Sequence, residues 1–247
     1  MMKMNTTFKQ QLCELASRYE TSEFLKDDPS QFMHRYHESR DIEIVAWVAS
    51  CLSLGQRPQI LAKIEYICQL MGEHPADWIL RGKYQETFPL TTDKFYRFFS
   101  FAQMHHLFDA LKSLLEEYGS LGLFVKGQYE LGISPLNALV GYFGDKEVGQ
   151  LVPRNTASCC KRLNMFLRWM VRTHSSVDMG LWKWYETRNL IIPVDTHVIQ
   201  EAVRLGIVHK PGSTLAKALE ITQVMQKVWP DDPCRGDFAL FGLGINS

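Results

Sequence analysis

The chain has 247 residues, 46% hydrophobic and 12% aromatic, enough for one large domain or two closely packed lobes with a full core. Charged residues make up 22% and cancel to a net charge of zero, which excludes long disordered tracts and gives no global electrostatic argument for a polyanionic partner. No apolar run approaches the roughly 20 residues that span a bilayer, and Met1-Met2-Lys3-Met4-Asn5 leads into a polar helical pattern rather than a signal-peptide core, so a cytoplasmic protein with no membrane partner is expected.

Phe8, Leu12, Leu15 and Ala16 recur at helical spacing and predict a first helix over 7–19. Lys26-Asp27-Asp28-Pro29-Ser30 breaks it, and a short helix or turn follows over 31–36. The next long helix starts near Asp41, a good N-cap residue, and runs through Ile44, Val45, Val48, Ala49 and Leu52 to stop at Gly55. It is apolar nearly all round, which places it at the centre of the core. Pro58 opens a helix through Ile60, Leu61, Ile64, Ile67, Cys68 and Met71, closed by Gly72. A short helix is predicted at 76–81, then the aromatic-rich segment Phe95-Tyr96-Arg97-Phe98-Phe99. Further helices run from Met104 to Tyr118, ending at Gly119, and from Pro135 to Phe143, bounded by Gly144.

Residues 145–155 read as a connector, and Thr156 or Ser158 can cap a helix carrying Leu163, Phe166, Leu167 and Met170. Asp178 is placed to cap a short helix with Leu181, Trp182 and Tyr185. The apolar run Leu190-Ile191-Ile192 then ends at Pro193, and Asp195 caps a helix that reaches Leu205 with Gly206 just past its end. Ser213 or Thr214 caps a helix through Leu215, Ala218, Leu219, Thr222 and Met225. No segment carries a strand period long enough to defend, and there is no internal repeat, so the expected fold class is all-α.

Cysteines at 13, 51, 68, 159, 160 and 234 form no C-x-x-C pair, which argues against a disulfide framework or a zinc site. His197 has no second ligand at helical spacing, so neither a metal nor a cofactor is expected. Charge is unevenly spread. From Arg154 onward there are 12 Lys+Arg against 8 Asp+Glu, leaving 15 against 19 in the rest. Arg154, Lys161, Arg162, Arg168 and Arg172 occur before Val177 with no acidic residue among them, a local basic face suited to phosphates.

Val194-Asp195-Thr196-His197-Val198, followed by Arg204-Leu205-Gly206, resembles the corresponding segment of the helix-hairpin-helix DNA glycosylases, in which the aspartate is the catalytic carboxylate. Ser50-Cys51-Leu52-Ser53-Leu54-Gly55-Gln56 is similar to the helix end whose glutamine enters the DNA beside the extruded base. Helix order fits from about residue 41 to 244. Within that superfamily the chain most resembles the archaeal-type 8-oxoguanine glycosylases, whose lysine opens a helix well upstream of the aspartate; here 34 positions separate Lys161 from Asp195. Asp237 and Phe241, one helical turn apart, resemble that subgroup's base-holding pair. The chain also resembles a widespread bacterial family described mainly by sequence.

The resemblance implies a two-lobed helical fold. One lobe would be a central bundle over 41–175, the other would combine 1–40 with 176–247, and the two would border a cleft. It implies a monomer acting on damaged double-stranded DNA. Lys161 and Asp195 would be catalytic; Asp237, Phe241, Trp169 and Trp182 would form the base pocket, with Trp184 a further candidate. Gln56, Arg154, Arg162, Arg168 and Arg172 would hold DNA. The chain departs from the family in two places. Residues 151–160 contain no glycine where the hairpin normally has two, and no four-cysteine iron–sulfur loop follows the last helix. The missing glycines leave open a second reading, a DNA- or RNA-binding module without catalysis.

The expected chemistry follows from the residue types. Breaking an N-glycosidic bond develops positive charge on the sugar, which a nearby carboxylate stabilises. A lysine amine attacking C1′ gives a Schiff base, from which β-elimination can cut the strand. The target base must leave the stack and enter a pocket with an aromatic face and hydrogen-bonding groups.

Overall fold

The computed structural model describes residues 6–245, which are mostly helical. α1 (Thr6–Tyr19) is followed by 3-10 turns at Ser22–Asp27 and Pro29–Arg35. Then come α2 (Ser39–Leu52), α3 (Arg57–Met71), α4 (Pro75–Leu80) and α5 (Tyr84–Thr87). β1 (Lys94–Tyr96) pairs antiparallel with β2 (Phe99–Ser100), and α6 (Phe101–Tyr118), α7 (Leu121–Glu130) and α8 (Pro135–Phe143) follow. α9 (Lys161–Val171), α10 (Thr196–Arg204), α11 (Leu215–Met225) and α12 (Arg235–Ile245) complete the chain. Among the described residues no helix is long and apolar enough to cross a membrane.

Two compact units emerge, one formed by 27–156 and the other by 1–26 with 157–247. The boundaries differ from the expected 41–175 and 1–40 plus 176–247. The reason lies just before α9. Cys159 N–H donates to the Ser213 carbonyl at 2.6 Å, Ser158 bridges Thr214, and Leu215 N–H reaches the Ala157 carbonyl. These bonds attach the α9 entry, and Lys161 with it, to the C-terminal unit.

In the 27–156 unit α2 is buried from Asp41 to Leu52, as its all-round apolar pattern predicts. Two acids lie on it. Asp41 does not cap its own helix: its Oδ1 accepts from Ala76 N–H at 2.7 Å, and Glu43 Oε2 accepts from Gly122 N–H at 3.1 Å. The central helix therefore caps the starts of α4 and α7, where unpaired N–H groups and the helix dipole favour a carboxylate. The hairpin was not foreseen, because three residues are too few to display a period of two. Phe95, Tyr96 and Phe99 turn into the core while Arg97 and Phe98 form its two-residue loop.

In the other unit α12 runs between α1 and α10. Three glycines make this possible despite the roughly 1 kcal/mol each costs inside a helix. A Cβ on Gly242 would come 2.1 Å from the Tyr19 ring, one on Gly236 2.4 Å from Met225 Sδ, and one on Gly244 2.7 Å from His197 Cβ. The expected helix after Asp178 is absent. Instead Met179 and Gly180 N–H groups donate to the Trp169 carbonyl, and Trp182 N–H to that of Met170. The chain folds back to satisfy the carbonyls left open at the end of α9.

Candidate active site

Lys161 is the first residue of α9, and its position is set by the turn that precedes it. Cys160 takes the left-handed conformation (φ 47°, ψ 40°) at the cap position, where Thr156 or Ser158 was expected. A non-glycine residue there costs about 1 kcal/mol, and Asn164 secures the turn. Its Nδ2 donates to the Cys159 carbonyl at 2.9 Å and its backbone N–H to that of Cys160 at 2.9 Å. The Cys159 thiol donates to the Val194 carbonyl at 3.3 Å. The residue two before Lys161 thus touches the residue one before Asp195, which spans the 34 positions between them.

Asp195 caps α10, as expected: its Oδ1 accepts from Val198 N–H at 2.8 Å. Its Oδ2 lies 3.7 Å from Lys161 Nζ, with the aspartate side chain 16% exposed and the lysine 33%. The pair is an ion pair at a separation longer than a direct hydrogen bond. One carboxylate oxygen is fixed by the helix and the other faces an accessible amine.

Arg168 lies two turns after Lys161 on the same face of α9. Its Nη1 donates to Asp237 Oδ2 in the first turn of α12, and its Nε to Asp178 Oδ1 at 3.1 Å. Asp178 also accepts from Arg172, which binds Asp232 at 2.8 Å and Glu20 at 2.6 Å, and Arg235 reaches Glu20 at 3.2 Å. Phe238 lies beneath both the Arg168 and Arg172 guanidiniums, 4.5 and 5.3 Å from its ring centre. Four carboxylates thus meet three guanidiniums. Burial pushes the Asp237 carboxyl up to about 7; Arg168 opposes this, Asp195 adds to it and Lys161 opposes it. The charges of the two catalytic candidates are therefore felt at Asp237, with opposite sign.

Phe241, one turn after Asp237, is half-buried with its ring edge-on to Phe24 at 5.8 Å and to His197 at 6.2 Å. Four expectations need correction. Arg168 and Arg172 are 3% and 1% exposed, so neither can hold phosphate. Trp169 is 0% exposed and Trp182 2%, so neither has a face to offer a base. Trp182 instead stacks on Trp184 at 5.6 Å and meets Phe166 edge-on at 5.4 Å. The cause is α9 itself, buried from Leu163 to Val171 so that its arginines point inward to carboxylates. Gln56 and Arg154 are exposed in the 27–156 unit, and Arg162 is half-buried beside Lys161. The sequence reading gave Asp178 only as a helix cap and passed over Asp232 and Glu20; the available signal was two arginines one turn apart in the otherwise apolar stretch 165–172, which demands buried counter-charges. Among the described residues no group of three or more His, Cys, Asp or Glu is arranged to hold a metal ion.

Residues 28–246 match the profile of a family described as "Protein of unknown function (DUF2400)". The chain belongs to that family. Comparison with curated proteins and with solved structures gave no match.

Proposed function

We propose that this protein is a DNA glycosylase with AP lyase activity that removes an extruded oxidised purine, 8-oxoguanine being the favoured base. The observation that carries the reading is the 3.7 Å approach of Lys161 Nζ to an Asp195 carboxylate held by its own helix. In the proposed reaction the Lys161 ammonium first releases a proton to solvent, the free amine attacks C1′, and the C1′–N bond breaks, its electron pair leaving with the base. The ionised Asp195 carboxylate stabilises the positive charge that develops on the sugar as that bond breaks, and its Oδ2 then takes the proton shed by the nitrogen once it is bonded to C1′. Ring opening gives a Schiff base between Lys161 and C1′, and loss of the 2′ proton expels the 3′ phosphate. Asp237 suits a base edge: Arg168 occupies Oδ2, and a carboxyl titrating near 7 can donate to or accept from the base.

The test is borohydride trapping on a duplex containing 8-oxoguanine. A covalent adduct is expected with the native protein, none with Lys161→Gln, and no excision with Asp195→Asn. Undiminished trapping of Lys161→Gln would sink the assignment. The glycine-free 151–160 segment supports a second reading, a nucleic-acid-binding module without turnover; tight binding to an abasic analogue with no product from any damaged base would favour it.

A further inference from the structure

The hairpin of the 27–156 unit places four aromatic residues within five positions, and three point inward. Phe95 is 7% exposed, Tyr96 6% and Phe99 0%, whereas Phe98 at the loop is 64% exposed. Arg97 beside it holds a left-handed backbone (φ 52°), a conformation that side chains other than glycine and asparagine rarely adopt. Its guanidinium lies 5.4 Å from the Phe98 ring centre, within cation–π range. The same side chain lies on Gly55, where a Cβ would come within 2.6 Å of Arg97 Nη1, and the Tyr96 hydroxyl donates to the Leu54 carbonyl at 2.8 Å. The hairpin tip is thus tied to the turn that presents the exposed Gln56.

Cations outnumber acids around this tip: Arg57, Lys63, Lys94 and Arg97 stand against the exposed Asp93 at the foot of β1, and Glu65 on α3 is paired with Arg35. Lys63 stands 4.7 Å over the Phe95 ring, at the base of the same hairpin. An outward aromatic ring with cations on both flanking elements is the chemistry of a single-strand stacking platform, in which the ring takes a base face and the cations take phosphates. A membrane surface would instead require an apolar face broader than one ring.

We propose that the hairpin tip is a second DNA contact, in which Phe98 stacks on an unpaired base while Arg97, Lys94 and Lys63 hold the adjacent backbone. This rests on the reading of the protein as DNA-binding, but not on Lys161 chemistry. It assigns base stacking to a residue remote in sequence from Lys161 and Asp195.

The probe is a duplex with an uncleavable tetrahydrofuran abasic analogue and 2-aminopurine as its neighbour. Native protein is expected to bind and to change the 2-aminopurine emission as that base leaves the stack. Phe98→Ala should weaken binding about tenfold and abolish the emission change, while Phe98→Trp restores both. The melting temperature should hold, because Phe98 is exposed. Equal affinity and equal emission response in Phe98→Ala would overturn the proposal, as would failure of the native protein to bind this duplex. A native protein that forms no borohydride adduct yet depends on Phe98 for binding would refute the lyase reading and uphold this one.

Discussion

Replacing Asp237 with asparagine tests whether the buried cluster carries one carboxylate too many. Glu20, Asp178, Asp232 and Asp237 face Arg168, Arg172 and Arg235, and Asp237→Asn makes that count equal. In the folded chain the Asp237 carboxyl titrates at about 7 against 3.8 for an ordinary aspartate. Between those values the folded protein keeps a proton that the unfolded chain has released. The sign follows: stability contributed by the neutral carboxyl is fully present below pH 4 and is lost as pH rises through 7. Three units correspond to about 4 kcal/mol. Urea unfolding at pH 4.5, 6 and 8 should show the native protein falling relative to Asp237→Asn by an amount of that order. Loss of stability in parallel by the two proteins would show that Asp237 is ionised throughout and that the charge count is wrong.

Other substitutions separate structure from chemistry. Asp195→Asn should unfold within a few tenths of a kcal/mol of the native protein, since asparagine caps as well as aspartate, and yet lose excision; Asp195→Ala should lose about 1 kcal/mol as well. Arg172→Ala strips Asp178, Asp232 and Glu20 of a shared partner, and urea denaturation should register a loss of about 3–5 kcal/mol. Gly242→Ala forces a Cβ into the Tyr19 ring and should cost about 1–3 kcal/mol, with part recovered in the Tyr19→Ala double variant by a double-mutant cycle. A thiol reagent should titrate Cys13 rapidly in the folded protein and the buried cysteines at 51, 68, 159, 160 and 234 only on unfolding.

Much of the candidate site was legible because its elements announce themselves locally. A proline, a carboxylate and a 3.6-residue apolar period place Asp195 at a helix start, and the same period puts Asp237 and Phe241 on one side of their helix. What escaped was partnership. Asp41 looks like the cap of its own helix and caps α4 instead. Asp178 looks like another cap and lies between two arginines. Arg168 and Arg172 have the spacing of a solvated basic stripe, and their counter-ions come from residues 20, 178, 232 and 237.

By itself the amino-acid sequence determined the helical class, most helix boundaries and the central place of α2, whereas Lys161 and Asp195 were nominated by the resemblance to the helix-hairpin-helix glycosylases. Periodicity and capping act within a few residues, so a single chain segment carries them. Only the tertiary structure decided that Cys159 reaches Val194 and brings Lys161 to 3.7 Å from Asp195. It also decided that α9 belongs with the C-terminal unit, and that its two later arginines are spent on buried carboxylates. Those outcomes depend on which distant segments exclude water together. Burial turns an arginine from a phosphate ligand into a structural cation.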